Sequence, residues 1–354
     1  MILPVENRVL YILGAGFSAP LGLPVMGNFL SRSKDLFFKD RTRYAGFQKV
    51  YDTISQLSVI KNTFHADLHN IEEILSLLEM EAFMEGGRLK DEFVSFLSEV
   101  VRNLLPPIDP ISGRPGSGNW HGLLFDGNPV WRPYFEMMAC MLHAQVDNPD
   151  DRTARMILSS APSSTRYAVV TLNYDTVIES TYDFLVKSFR VKDVIPLATK
   201  DYDPSWRSLQ LAKLHGCAQA GTIVPPTWRK GSGDVVQAWK LAHHLLRDAN
   251  QIRIVGYSLP VSDSYIRYLL KSAMGFSSDL KKVDIINNDR SRIEPRYRDF
   301  IDFNNLRFHD GDLQFFFRLM ADRVGRNSRG LGFKDSMLFG GLEEVHENFF
   351  KALI

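Results

Sequence analysis

Cysteine is scarce: only Cys140 and Cys217 occur in 354 residues, too few for a four-cysteine zinc cage or a disulfide framework. A reducing compartment fits that scarcity. Long apolar runs are missing as well, none approaching the roughly 18 residues of a membrane span. The mildly apolar N-terminus is interrupted by Glu6, Asn7 and Arg8 and lacks the basic segment and long apolar stretch of a signal peptide. The expectation is a cytoplasmic protein that makes no membrane contact. Neither charge is in excess, since 42 Lys and Arg stand against 41 Asp and Glu. No whole-molecule field therefore draws the chain to nucleic acid or anionic lipid, and no direct nucleic-acid binding is expected. Any polyanion site is local.

What is present is a globular mixture, 45% hydrophobic and 23% charged, which excludes disorder as the main state. At about 150 residues per domain the length suggests roughly two domains, or one large domain with an insertion. Val9 to Leu13 is a short apolar run ending in Gly14-Ala15-Gly16, the pattern of a buried parallel strand entering a glycine turn. Similar runs recur at Tyr167 to Leu172, Leu211 to Leu214, Ile252 to Val255 and Val283 to Ile286, and helical patterns at Thr176 to Phe189, Val235 to Asp248 and Ser264 to Met274 separate several of them. The alternation predicts an α/β fold, a Rossmann-like parallel sheet with helices on both faces.

Residues 31–161 differ in character. Ile71, Ile74, Leu75, Leu78 and Ala82 recur at three- and four-residue steps, as do Phe93, Phe96, Leu97, Val100 and Val101, so an inserted helical domain is expected there. Asn70 with Glu73 suits a capping box. The stretch from Pro106 to Gly118 reads as a surface loop or a lid. The expected organisation is 1–30 with 162–310 as the sheet domain, 31–161 as the helical insertion, and 311–354 as a C-terminal helical tail whose amphipathic stretch, Leu342 to Leu353, suits docking on the domain or on another subunit.

The predicted strand ends carry the chemistry. Gly14-Ala15-Gly16-Phe17-Ser18 stands where backbone N–H groups can face a pyrophosphate, with glycine avoiding a Cβ that would block the approach. The third glycine of G-x-G-x-x-G is missing, which excludes the dehydrogenase fingerprint. Asn173 and Asp175 follow the second strand; Asp175 also suits a helix cap. His215-Gly216 ends the third, Gly256-Tyr257-Ser258 the fourth, and Asn287-Asn288-Asp289 the fifth. Ligands gather at this edge of open α/β sheets. His65 and His69, near Glu72 and Glu73, have the spacing of a metal pair, but polar residues ahead of a helix start explain them more simply, and no metal is expected. His243 and His244, as helix neighbours, face different ways. Arg290, Arg292, Arg296 and Arg298 read as a solvated face, and Trp228 to Gly233 as a loop.

Taken in order, Gly14-Ala15-Gly16-Phe17-Ser18 with Gly22-Leu23-Pro24, Thr171-Leu172-Asn173-Tyr174-Asp175, Leu214-His215-Gly216, Gly256-Tyr257-Ser258-Leu259 and Ile286-Asn287 resemble the sirtuin (silent information regulator) superfamily. The resemblance implies an NAD site. Gly14, Ala15, Gly16, Phe17, Ser18 and Pro24 would hold the pyrophosphate and nicotinamide-ribose side, and Asp175 would support the loop that carries Asn173. Asn173 and His215 would flank the ribose as catalytic residues, and Gly256, Tyr257, Ser258 and Asn287 would serve the phosphate and adenosine ends. Three features of the protein deacylases are missing: a Gln where Leu172 stands, an Asp-Phe-Arg where Val25-Met26-Gly27 stands, and the zinc module. The chain is thus similar to the prokaryotic sirtuin-like proteins that hydrolyse NAD in antiviral defence. That likeness implies NAD as substrate, products nicotinamide and ADP-ribose, a homo-oligomer, and a partner protein of a defence operon such as an ATPase. Two other functions stay open: an NAD-dependent lysine deacylase, and a non-catalytic subunit sensing NAD or ADP-ribose.

Overall fold

The computed structural model of the chain describes residues 7–61, 70–110, 125, 127–147, 155–158, 165–189, 191, 196–224, 234–261, 263–328 and 337–352. The first strand, β1 (Asn7–Leu13), leads into a four-residue helix, α1 (Ala15–Ser18). Among the described residues there follow the helices α2 (Phe29–Lys39), α3 (Gly46–Lys61), α4 (Ile71–Glu85), α5 (Leu89–Leu104) and α6 (Arg132–Met141). Two short strands, β2 (Ala144–Asp147) and β3 (Arg155–Leu158), precede the regular alternation of β4 (Thr165–Thr171), α7 (Val177–Ser188), β5 (Gln210–Lys213), α8 (Asp234–Asp248), β6 (Gln251–Val255), α9 (Ser264–Gly275), β7 (Lys282–Asn287), α10 (Arg290–Arg298) and β8 (Leu306–Asp310). The chain closes with α11 (Leu313–Ser328), β9 (Met337–Leu338) and α12 (Leu342–Lys351).

Six strands pair in the order β5-β4-β1-β6-β7-β8, all parallel. Counted along the chain within this sheet, that order is the Rossmann one, which reverses direction between its first and fourth strands. Here those are β1 and β6. Side chains alternate across a strand, so Val9, Tyr11 and Leu13 enter one hydrophobic cluster while Leu10 and Ile12 enter another. Leu241 and Leu245 of α8, Leu270 of α9 and Tyr297 of α10 cover the second face. On the first face lie α6, α7, α11 and α12, through residues such as Phe135, Leu185, Phe316 and Phe349.

The helices of the insertion share that first cluster: Phe47, Ile74, Leu78, Phe96 and Leu97 belong to it. Asn70 accepts hydrogen bonds from the N–H groups of Glu72 and Glu73 at 3.0 and 3.3 Å, so it caps α4 as its side-chain chemistry predicts. In one respect the segment departs from expectation. It is not wholly helical, because β2 pairs antiparallel with β3 and with β9 from the tail.

The apolar face of α12 is taken up by its own chain, with Leu342, Val345 and Phe349 buried. A polar network reinforces the contact. Arg307 of β8 grips Asp284 of β7 at 2.6 and 2.8 Å and Glu347 of α12 at 3.0 Å, and His346 Nε2 lies 2.7 Å from Asp284. Buried Arg253 of β6 donates to Tyr11 at 2.8 Å and to Glu343 at 2.7 Å. Burial and the nearby Arg253 charge push His346 down to about 4, so the imidazole is neutral and donates to the carboxylate. Asp284 and Glu347, though both opposed by burial, are held at about 2 by Arg307 together with His346 and Lys282 respectively.

These three groups all make acid destabilising. The lowered His346 value favours the fold above the unfolded value near 6.5, and that contribution is lost as pH falls towards 4. The two carboxylates favour it above roughly pH 4, with loss as pH falls towards 2. Urea melts should show stability declining through both windows. His346→Gln should flatten the upper one, and an unchanged slope there would contradict the assignment. Among the described residues, no helix is long and apolar enough to cross a membrane.

Candidate functional site

A cavity of about 480 Å³ opens at the carboxyl ends of the strands, where β1 and β6 lie side by side, within the usual range for small-molecule sites. Gly14, Ala15, Gly16, Ser18 and Pro24 from the first loop line it, as do Asn173 and Asp175 after β4 and His215 after β5. Gly256, Tyr257, Ser258 and Asn287 complete the strand-end side. Of the predicted site residues, only Phe17 is elsewhere: it is buried in the core, edge-on to Tyr134 at 5.2 Å.

Asn173 and His215 therefore share one cavity. Asn173 is held firmly, since its Nδ2 donates to the Gly14 carbonyl at 3.0 Å and to Ser18 Oγ at 3.2 Å. Those bonds join the end of β4 to the turn after β1. His215 is 1% exposed. Its carbonyl accepts from Val224 N–H at 3.0 Å, closing a loop whose sharp reversal uses Gly216 at φ +79°. A Cβ there would sit 1.8 Å from the Thr222 carbonyl oxygen. Asp175 does cap a helix: its Oδ1 accepts from Val177 N–H at 3.0 Å.

The glycines after β1 have a different reason from the one expected. A Cβ on Gly14 would lie 2.6 Å from the Gly256 carbonyl oxygen, and one on Gly16 would lie 2.7 Å from Gly256 Cα. They allow backbone to pack on backbone across the β1–β6 junction. The amides of Gly14 and Gly16 are also spent there, donating to Val255 and Gly256 carbonyls at 3.0 Å. Neither N–H faces a pyrophosphate.

On the far side, Tyr257 donates its hydroxyl to buried Asp263 at 2.7 Å, and its carbonyl accepts from Tyr297 at 2.9 Å and Asn287 Nδ2 at 3.3 Å. Asn287 is thereby fixed at the rim. The basic run is mostly spent on local pairs, Arg290 and Arg298 with Glu294 and Arg292 with Asp289, although Arg292 also lines the cavity.

Three further contributions escaped the sequence reading. Ile71 and Glu72 of α4 and Val101 of α5 line the cavity, so the insertion forms part of its wall. Gly311 to Gln314, after β8, form another part. Strand β8 (LRFHD) has no continuous apolar run because Arg307 is engaged by the α12 network, which hid it and the loop that follows. His65, His69 and Trp228 to Gly233 lie outside the described residues. His243 and His244 have rings at 83° to each other, one hydrogen-bonded to Ser272 and the other stacked on Tyr202. Asp284, His346 and Glu347 bring ligand-type atoms within 4.8 Å of one another, but Arg307 and Lys282 already neutralise those carboxylates.

The strand order, the cavity at its reversal and the Asn173–His215 pair invite comparison with known families. Residues 167–305 match the SIR2-like domain family. The matched region runs from within β4 to the residue before β8 and includes Asn173, His215, Ser258 and Asn287. No curated protein matches the chain. Among solved structures, "Sir2 bound to acetylated peptide" is similar at 13% identity and TM-score 0.39, covering 92% of this chain and 96% of that one. "Structure of Sir2Tm bound to a propionylated peptide" matches at 13% identity and TM-score 0.37, covering 92% and 96%. "Sir2-p53 peptide-NAD+" matches at 12% identity and TM-score 0.32, covering 90% and 94%.

Proposed function

We propose that the cavity binds NAD and hydrolyses it to nicotinamide and ADP-ribose. The observation that supports this reading most is the meeting of Asn173 and His215 in one cavity at the reversal point of a Rossmann sheet. The glycosidic bond between nicotinamide and its ribose breaks through an oxocarbenium-like state, the bonding pair passing to the ring nitrogen and cancelling its positive charge. Water forms the new bond to the ribose carbon and loses a proton. Asn173 positions the ribose or that water. His215 takes the proton or acts on a ribose hydroxyl.

In this division of labour, 1–30 and 162–310 bind the dinucleotide, 31–161 walls the cavity, and 311–354 closes the sheet. Leu172, in place of the deacylases' glutamine, favours water over acyl-lysine as the acceptor, as does Val25-Met26-Gly27. The biological role proposed is NAD depletion in prokaryotic antiphage defence, in the cytoplasm, by a homo-oligomer acting with a defence partner.

Incubating the full chain with NAD alone should release nicotinamide, at a rate that an acetylated peptide does not raise. Release that requires the peptide would identify a deacylase. NAD bound but unchanged, with candidate partners present, would identify a sensor.

A further inference from the structure

The amides of Gly14 and Gly16 are spent at the β1–β6 junction and the Ser18 hydroxyl accepts from Asn173, so the glycine turn does not balance the charge of a diphosphate. Three carboxylates, Glu72, Asp175 and Asp312, stand in the cavity wall, and among the described residues that line it Arg292 is the single Lys or Arg. A diphosphate leaving water for such a wall needs cationic donors. Helix α10 supplies them. Its residues 290, 294 and 298 follow one another at four-residue steps and form a closed group, with Glu294 paired to both arginines. Arg292 and Arg296 are likewise four apart and share the opposite face, and buried Ile293 and Tyr297 occupy the side between the two groups. Both arginines reach the cavity rim. Arg296 Nη1 donates at 3.4 Å to the carbonyl of Ser258, itself a lining residue, and Arg292 lines the cavity directly. Arg292 meets Asp289 through Nε at 2.7 Å, which leaves its two terminal nitrogens uncommitted among the described residues. Arg296 has no carboxylate partner among them.

We propose that Arg292 and Arg296 are the cationic contacts for the diphosphate of the bound dinucleotide, gripping it from the α10 rim of the cavity. The inference rests on the reading of this cavity as a dinucleotide site, and it concerns the part of the ligand that hydrolysis leaves unchanged. A guanidinium pairs with phosphate oxygens through two parallel N–H bonds, and the uncommitted end of Arg292 suits that fork. Arg296, anchored on the Ser258 carbonyl, holds a second positive charge at the same rim. The basic run is thus divided: the face at Glu294 is neutralised within the helix, and the face at Ser258 serves the ligand.

The test compares ADP with adenosine, which differ only in the diphosphate, by calorimetry on the full chain at fixed salt. The native chain should bind ADP the more tightly, and Arg292→Gln and Arg296→Gln should each cut that preference by about tenfold, the scale of one hydrogen bond to a charged group. Adenosine affinity should not change, which also reports that the variant site is folded. Arg298→Gln removes the same charge from the opposite face of the helix and should leave the ratio alone. A preference that either cavity-side substitution leaves intact overturns the proposal, as does an equal loss in Arg298→Gln, the mark of a diffuse field. A native chain that does not bind ADP overturns it too. If NAD survives intact while the ADP preference depends on Arg292 and Arg296, the hydrolase reading fails and this inference stands. If NAD is cleaved and the preference ignores both arginines, the reverse holds.

Discussion

Replacing His215 by asparagine should lower nicotinamide release from NAD by about 100- to 10,000-fold, the usual contribution of one positioned acid or base. The imidazole is buried in the wall of the cavity that Asn173 also lines, so a solvent-borne base is a poor substitute. Asn173→Ala should abolish release to a similar extent, but it will also weaken the protein. Its amide donates to the Gly14 carbonyl and Ser18 Oγ; the carbonyl keeps the Phe17 N–H at 2.9 Å, and the loss of the buried bonds costs on the order of 1 kcal/mol. Ser18→Ala is the control that removes one partner while keeping Asn173. Chromatography of released nicotinamide, alongside thermal melts, separates the two effects. Folded variants with near-normal turnover at both positions would remove the catalytic assignment.

Gly256→Ala should be a severely damaging single-methyl change at the β1–β6 junction. Gly256 has φ +65°, and the added Cβ would lie 2.5 Å from Gly16 Cα and from the Phe17 nitrogen. Every obstructing atom is backbone, so no flexible side chain can yield, and relief requires β1 and β6 to separate at the bonds from the Gly14 and Gly16 amides. Strain of both kinds places the loss at about 4 kcal/mol, or a fall in melting temperature on the order of 10 °C. Gly27→Ala is the matched control, since it lines the same cavity but a Cβ there meets nothing within 4 Å. Its change should stay within about 0.5 kcal/mol. Equal melts for the two variants would show that the glycine contact does not hold the junction.

The central strands were legible because burial on both faces writes itself as continuous apolar runs: Val9 to Leu13, Tyr167 to Leu172 and Ile252 to Val255 are each recovered within about two residues. Strand β8 was not, because it lies at the sheet edge and trades an apolar side chain for Arg307, which serves the α12 network. The short β2 and β9 escaped because four- and two-residue strands leave no periodicity to read. For the site, residues at predicted strand ends were reachable by rule, since topology gathers them at one edge. Glu72 was not. Its approach depends on how α4 packs against a sheet remote in sequence, and its own helix shows only a capped first turn. The glycine pattern was legible but its cause was not: one motif, read as room for a phosphate, provides room for another strand's turn.

The most direct test of hydrolysis at this site is the mass of the ADP-ribose formed when the full chain, with any required partner, turns over NAD in water enriched in heavy oxygen. One heavy oxygen per ADP-ribose, with production lost in His215→Asn, is the predicted result. ADP-ribose without the label, or labelled product formed equally well by the variant, would contradict it.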